Sequence, residues 1–278
     1  MLIDGHTHTE LCPHGSGEAT EKMIQRAIQL GIKKYCITEH APLPPDFRAQ
    51  YAGVETGYTE ASLTLNEVPQ YLALAQKLQQ KYQSQILITI GFEVDFLADH
   101  VAWTRDFLNE YSSQIQESIL SVHFMRGAQH KYWCLDDTTA DFQTGFGAWL
   151  ADPQALFAQY YQTVLASVQA DLGPATPLRI GHMSLIRKFQ DLFDLTAPLD
   201  RQNITLVGEI LDEIAAQHRE IDFNVAGLYK SFCNDFYPGP QITKMARKRD
   251  IPLIYGSDAH DILSVGHGIH LADRLING

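Results

Sequence analysis

The chain alternates between short apolar runs and longer segments in which apolar residues recur every three or four positions. The apolar runs contain few alternating polar residues, which is typical of strands that are buried on both faces. They predict seven strands, at Leu2–Gly5, Lys34–Thr38, Ile86–Gly91, Ser118–Val122, Leu178–Gly181, Glu220–Phe223 and Pro252–Gly256.

The segments between these strands predict helices. Gly31 is a plausible terminator of the first helix, and Asp152 followed by Pro153 is a typical start for a later one. The predicted helices are Glu18–Leu30, Val68–Lys81, Asp99–Tyr111, Asp152–Gln169, Asn203–His218 and Gln241–Arg249.

Repeated strand–helix units imply parallel strands with right-handed crossovers. Seven such units in 278 residues predict an α/β fold, a distorted (β/α)7 TIM-like barrel, and no linker divides residues 1–278 into more than one domain. The alternative is a doubly wound sheet. That fold usually carries a glycine-rich turn after its first strand, and the segment 4–8, Asp-Gly-His-Thr-His, is not one.

Two stretches look like insertions into the barrel. Ala41–Asn66 is rich in proline, and Phe124–Leu150 contains two tryptophans and three glycines. Both follow predicted strands, so both are expected to lie over the active face and to cover a substrate.

Composition narrows the function. The net charge of −12 disfavours nucleic acid as a partner, because no excess of lysine and arginine is available to replace phosphate counterions. No apolar stretch reaches 18 residues, so no membrane span is expected. The four cysteines form no Cys-x-x-Cys pair, and no signal peptide is visible, so a reducing cytoplasm is the simplest compartment.

Candidate chemistry lies where the predicted strands end. In a β/α barrel the carboxyl ends of the strands converge on one face, where active sites are built. His6 and His8 follow the first strand, and Asp258 and His260 repeat the same spacing after the last. Nine side chains of metal-ligating type follow the strands in this way: His6, His8, His14, His40, Glu93, His123, His182, Asp258 and His260.

Nine candidate ligands suit two or three divalent ions, because a catalytic zinc uses about three protein ligands and keeps one position open. Imidazole-rich ligand sets suit Zn, Fe or Mn better than Mg or Ca, and Zn is the ion we expect first. Cys12, between His8 and His14, is a weaker candidate than the histidines.

Six motifs in order resemble the PHP (polymerase and histidinol phosphatase) family across essentially the whole chain. They are the segments 4–8, 37–40, 91–93, 121–123, 180–182 and 257–260. The Ser-Val-His-Phe run and the Gly-His-Met-Ser-Leu-Ile-Arg run are similar to the histidinol-phosphatase branch.

This resemblance implies a trinuclear metal centre and the hydrolysis of L-histidinol phosphate, a late step of histidine biosynthesis. It assigns His6, His8, Glu93 and Asp258 to one ion and His14, His40 and His260 to another. The remaining ion would be held by His123 and His182 and bridged by Glu93. Of these ligands, His14 lies in the segment that is least similar to the family.

The expected chemistry is in-line attack on phosphorus by a hydroxide that bridges two ions, since bound metals lower the pKa of water. Glu93 is expected to be catalytic as the bridging ligand, and Asp258 or His260 is the candidate to protonate the leaving alkoxide. Arg187, Lys230 and Arg126 are the candidate phosphate-binding residues.

The histidinol end of the substrate carries an ammonium and an imidazole, which suit carboxylates and aromatic side chains as neighbours. Asp136, Asp137, Trp133 and Tyr229 all fit that description and are not distinguished by sequence.

Three other functions remain possible. A family member could act on nucleotides or other small phosphate esters. An amidohydrolase also begins with His-x-His, but that family would place a bridging lysine where Glu93 stands. A non-catalytic metal-binding module would be expected to have lost ligands, and here every ligand type is present.

Overall fold

In a computed structural model, which describes residues 2–277, the main sheet has seven parallel strands in the order β1-β2-β3-β4-β7-β8-β9. The strands are β1 Ile3–Thr7, β2 Lys34–His40, β3 Leu87–Asp95, β4 Ile119–Ser121, β7 Arg179–Ile180, β8 Glu220–Asn224 and β9 Leu253–Gly256. All seven predicted strands are confirmed.

The sheet closes nearly completely on itself. β9 meets β1, where the amide of His8 donates to the carbonyl of Ala259 at 3.0 Å and the amide of Asp258 donates to the carbonyl of His6 at 2.9 Å. A glycine is required at this seam, because a Cβ on Gly256 would lie 2.3 Å from Asp222 Oδ1 and 2.7 Å from the Cβ of His6. The prediction of a distorted (β/α)7 TIM-like barrel is therefore confirmed.

The helices connect or follow the strands, and two of them, Thr56–Thr59 and Thr139–Phe146, lie in the two insertions. The helices are α1 Thr20–Gln29, α2 Thr56–Thr59, α3 Val68–Tyr82, α4 Val101–Tyr111, α5 Thr139–Phe146, α6 Pro153–Gln169, α7 Arg201–Ala216, α8 Gly239–Arg247 and α9 Ile269–Asn277. All six predicted helices are present with their ends shifted by a few residues. In the described part of the chain α2, α5 and α9 are additional.

Local signals explain where the helices begin and end. Asp152 caps α6 by accepting from the amide of Ala155, as predicted, and Gly31 has a left-handed backbone with φ of 78° just after α1. Helix α3 buries a stripe at helical spacing that includes Tyr71, whose hydroxyl donates to the carbonyl of Ile37 at 3.1 Å.

The two predicted insertions pack on each other above the barrel. Phe124–Arg126 (β5) and Tyr132–Cys134 (β6) form an antiparallel hairpin in the second insertion. The amide of Tyr132 donates to the carbonyl of Gln50 in the first insertion at 2.9 Å. The two insertions share a small apolar core of Phe47, Tyr51, Phe124, Tyr132 and Cys134, which Leu97 joins from the segment after β3. No helix between residues 2 and 277 combines the length and the apolar character that a membrane crossing needs.

Candidate metal centre

Strand register brings distant candidate ligands side by side. His40 ends β2 directly beside Glu93 of β3. Asp258 follows β9 in a left-handed conformation, with φ of 55°, which aspartate tolerates better than most residues. The hydrogen bond from the amide of Asp258 to the carbonyl of His6 then holds the end of β9 against the end of β1.

Glu93 is the centre of the cluster. Its side chain is buried, and each of its oxygens faces a different group of imidazoles. Oε2 lies 3.1 Å from His6 Nε2, 3.5 Å from His8 Nε2 and 3.3 Å from His40 Nδ1, while Oε1 lies 2.8 Å from His182 Nε2 and 3.4 Å from His123 Nε2. A carboxylate shared in this way can bridge two ions.

Three imidazoles are held from behind by carboxylates that sequence reasoning did not assign to the site. Such partners fix the ring orientation and leave the opposite nitrogen to bind a metal. Asp222 lies 2.8 Å from His6 Nδ1, Glu39 lies 3.2 Å from His8 Nδ1, and Asp95 lies 2.9 Å from His123 Nδ1. A sequence signal for these carboxylates was available. Each of them is a strand residue within two positions of an expected ligand or of the end of its strand: Glu39, Asp95 and Asp222.

His14 and His260 face each other. Their Nε2 atoms are 3.1 Å apart. The Nδ1 of His14 is 2.7 Å from the carbonyl of Glu60, and the Nδ1 of His260 is 2.9 Å from the carbonyl of Asp258. A carbonyl only accepts, so each Nδ1 donates its hydrogen to a carbonyl and the two Nε2 atoms are left facing each other. In neutral rings of this tautomer both Nε2 atoms offer a lone pair, which is the arrangement that a cation held by both rings requires.

Ligand atoms gather into three groups whose members lie within 4.8 Å of one another. The groups are His6, His8 and Glu93; Glu93, His123 and His182; and His8, Cys12, His40 and His260. The first two match the predicted sets, to which Asp258 adds an oxygen 3.1 Å from His8 Nε2. The third differs from the predicted set, because it contains His8 and the buried Cys12 and does not contain His14, which instead lies beside His260. The roles of all nine residues as ligands stay predictions.

Burial opposes ionisation in the cluster, but neighbouring groups outweigh it at several positions. Burial would raise the pKa of Glu93, yet the adjoining imidazoles hold that pKa well below its usual value. Burial would lower the pKa of His123, yet Asp95 and Glu93 raise it to about 10. Burial and the charge on His8 lower the pKa of His260 to about 3.

Imidazoles and carboxylates alternate throughout this cluster. Five carboxylates contact histidine rings, and protons on some of the rings offset part of that negative charge. The buried Nε2 of His40 makes no hydrogen bond within residues 2–277, although buried ring nitrogens are normally paired. The donor set of imidazoles and carboxylates therefore fits divalent first-row metals.

A cavity of about 460 Å³ opens above the cluster. Both insertions line it, as predicted, through Gly57 and Glu60 on one side and Asp136 and Asp137 on the other. Trp133 lies elsewhere, with its indole bound to the carbonyl of Ala128. Tyr229 packs on His267.

Of the three predicted phosphate-binding residues, Lys230 lines this cavity. The structure does not bring the other two to it. Arg187 donates to the carbonyls of Leu195 and Ala197, and Arg126 pairs with Asp99 over the ring of Tyr132. Sequence reasoning missed Lys188, the neighbour of Arg187, which does line the cavity.

The five remaining histidines lie away from the cavity lining. They are His100, His130, His218, His267 and His270. His100, for example, is buried between the side chains of Gln50 and Asp46.

A nearly closed barrel of parallel strands with a histidine–carboxylate cluster at its carboxyl end defines the class of metal-binding β/α barrels. Within that class, the family model of the PHP domain matches residues 4–226. The chain belongs to the PHP-domain family. The family resemblance seen in the sequence is thereby confirmed.

Known proteins match over nearly the full length. The histidinol-phosphatase of Bacillus subtilis (strain 168) is 34% identical over 264 residues, which cover 95% of each chain. A crystal structure from Listeria monocytogenes, provisionally described as the histidinol phosphatase hisK, is 38% identical with a TM-score of 0.94 and covers 97% of this chain and 99% of that one. A histidinol phosphate phosphatase from Lactococcus lactis, solved with zinc, L-histidinol and phosphate, is 20% identical with a TM-score of 0.70. The match covers 99% of this chain and 92% of that one.

Proposed function

We propose that this chain hydrolyses L-histidinol phosphate to L-histidinol and phosphate. The observation that carries the proposal is one cavity with two chemically different ends. Its floor is the histidine–carboxylate cluster, and its rim carries free carboxylates. The named Bacillus subtilis relative, which aligns with 95% of this chain, supports the same activity. This reaction would place the chain in histidine biosynthesis.

The floor would hold two or three divalent ions, with zinc the first expectation. Glu93 would bridge two of them, and His14 with His260 would complete the third position. Bound ions of this kind supply Lewis acidity toward phosphoryl oxygens and lower the pKa of water.

The residues around the floor have separable roles. Asp222, Glu39 and Asp95 fix the imidazoles and prevent them from turning away. Asp258 would be the candidate to protonate the leaving alkoxide, because its side chain is 20% exposed and lies between the cavity and His8, 3.1 Å from His8 Nε2. His260 is less suited to that step, because its Nδ1 is committed to a backbone carbonyl and its Nε2 faces His14.

The rim suits the ammonium and imidazole of L-histidinol. Asp137 makes no hydrogen bond or ion pair with another side chain in residues 2–277. Burial raises its pKa, and the neighbouring carboxylates of Asp136, Asp141 and Glu60 add to this rise, which Lys188 only partly offsets. A substrate ammonium placed there would relieve this repulsion between carboxylates. Nucleic acid as a partner stays disfavoured by the net charge, and a cytoplasmic location stays a proposal.

The test is a substrate panel with metal-reconstituted protein and metal analysis of the same sample. L-histidinol phosphate is compared with nucleotides, sugar phosphates and an imidazole-propyl phosphate that lacks the ammonium. We expect kcat/KM for L-histidinol phosphate to exceed that of every other ester by at least about 10-fold, because the rim carboxylates are left unpaired by analogues. Equal kcat/KM values across the panel would overturn the assignment.

A further inference from the structure

Lys188 is a cation built into the wall of the cavity. It follows a short turn, Leu185–Arg187, that begins three residues after His182 at the end of β7. Its side chain is only 17% exposed, yet it lines the same cavity as Asp258. Burying an ammonium costs free energy unless it is paired, so a side chain in this position needs polar partners.

Asp136 is one such partner of Lys188. The Nζ of Lys188 donates to the backbone carbonyl of Asp136 at 2.7 Å and lies 3.4 Å from its Oδ2. These contacts keep the amine charged and fix its position. An ammonium has three N–H groups, so one donor is left beyond the two directed at Asp136.

The other basic candidates do not offer an equivalent group. Arg187 and Arg126 are engaged with carbonyls or carboxylates outside the cavity. Lys230 lines the cavity but is exposed, where water and salt weaken its field. A partly buried charge beside the metal cluster acts more strongly on an anion.

We propose that Lys188 binds a non-bridging oxygen of the substrate phosphate and that Asp136 positions it for this contact. The inference rests on the proposed phosphatase activity. It assigns the phosphate end of the substrate to Lys188 and leaves the ammonium end to the free carboxylates of the rim.

The primary test is Lys188→Met in the metal-loaded protein. We expect kcat/KM to fall about 10- to 100-fold for every phosphate ester in the panel, by a similar factor, because a charge-assisted hydrogen bond to phosphate is lost. The inhibition constant of inorganic phosphate should rise about 10-fold or more, with bound metal unchanged. Lys188→Arg should recover part of the loss, and Lys244→Met, on the exposed side of α8, should match the wild type.

A double variant separates this role from a purely structural ion pair. If Lys188 only neutralises Asp136, then Asp136→Asn in the Lys188→Met background removes the unpaired carboxylate and restores activity. If Lys188 binds phosphate, the double variant stays as defective as Lys188→Met. Restored activity, or a phosphate inhibition constant unchanged in Lys188→Met, would overturn the inference.

The same data keep this inference apart from the proposed function. A wild type that shows no preference for L-histidinol phosphate would remove the substrate assignment, but a uniform loss across all esters in Lys188→Met would still support phosphate binding. A loss confined to L-histidinol phosphate would instead place Lys188 at the histidinol end and overturn the inference.

Discussion

The two ends of the barrel both bury charged side chains, but they balance the charge differently. At the amino end, Arg179 donates to the carbonyl of Gly5 at 2.5 Å and lies 3.1 Å from both Glu117 and Glu220. Lys34 pairs with Glu117 as well. Two cations and two carboxylates thus satisfy one another, which is what a structural ion-pair network requires.

At the carboxyl end the side chains are of metal-ligating types rather than permanent ions. The Nε2 atoms of His14 and His260 lie 3.1 Å apart, and the single carboxylate of Glu93 is shared by five imidazoles. Imidazole gains and loses its charge near neutral pH, so this cluster has no fixed balance of opposite charges, unlike the Arg179 network. A buried cluster of imidazoles that share one carboxylate is suited to an external cation, whereas a network of permanent opposite charges is suited to stability.

The largest expected effect comes from removing the shared carboxylate. Glu93→Ala should lose bound metal and lower kcat/KM for phosphate esters at least about 1000-fold, because the bridge between two ion positions disappears. Metal analysis and steady-state kinetics on the same sample measure both. Glu117→Gln is the matched control at the other end of the barrel, and it should keep its metal. If the Glu93→Ala protein kept its full metal content and full activity, the cluster at the carboxyl end of the barrel would not be a metal centre bridged by Glu93.

A smaller effect is expected at the third ion position. His14→Ala should lose about one equivalent of metal and lower kcat/KM about 10- to 100-fold, since one ligand of a partly exposed site is removed. Cys12→Ser is the matched comparison, because the thiol lies in one group with His40 and His260, but burial and the carboxylate of Glu39 keep its pKa well above the usual value.

We expect Cys12→Ser to retain its metal and to change kcat/KM less than about 3-fold, in contrast to His14→Ala. The reverse result, with metal lost in Cys12→Ser and kept in His14→Ala, would make the thiol the ligand and would correct the predicted set.

The sequence predicted the barrel and its metal centre because the signals are local. A buried parallel strand is a continuous apolar run, and each candidate ligand stands within a few residues of a strand end. The helix α5 was missed because it lies inside the segment Phe124–Leu150, which has the character of an insertion. The helix α9 was missed because glycines at 266 and 268 just before it indicate a loop.

The phosphate-binding candidates were harder to predict, because which way a loop side chain points depends on its tertiary partners. Arg187 and Lys188 are adjacent in sequence and equally basic. The carbonyls of Leu195 and Ala197 draw Arg187 away from the cavity, whereas Asp136 holds Lys188 against it. The carboxylates behind the imidazoles pose the same problem. Asp95 and Asp222 lie near a strand end in the sequence, but only the register of the strands shows which imidazole each one contacts.

The smallest effect on activity is expected from Arg179→Met at the amino end of the barrel. This substitution should instead lower the stability of the fold. Arg179→Met keeps the length of the side chain but removes its charge, which leaves Glu220 without this partner while Glu117 retains Lys34. Since the Arg179 side chain is 3% exposed, we expect the free energy of unfolding to fall by about 3 kcal/mol.

Urea denaturation measures that loss, and Arg105→Met, which breaks an exposed pair with Asp171, should cost less than about 1 kcal/mol. The folded Arg179→Met protein should bind wild-type amounts of metal and keep kcat/KM within about 3-fold, because the network stabilises the barrel without touching the cluster. A folded variant that no longer binds metal would show that the carbonyl of Gly5, one residue before His6, transmits the amino-end network to the site. The two ends would then act as one unit.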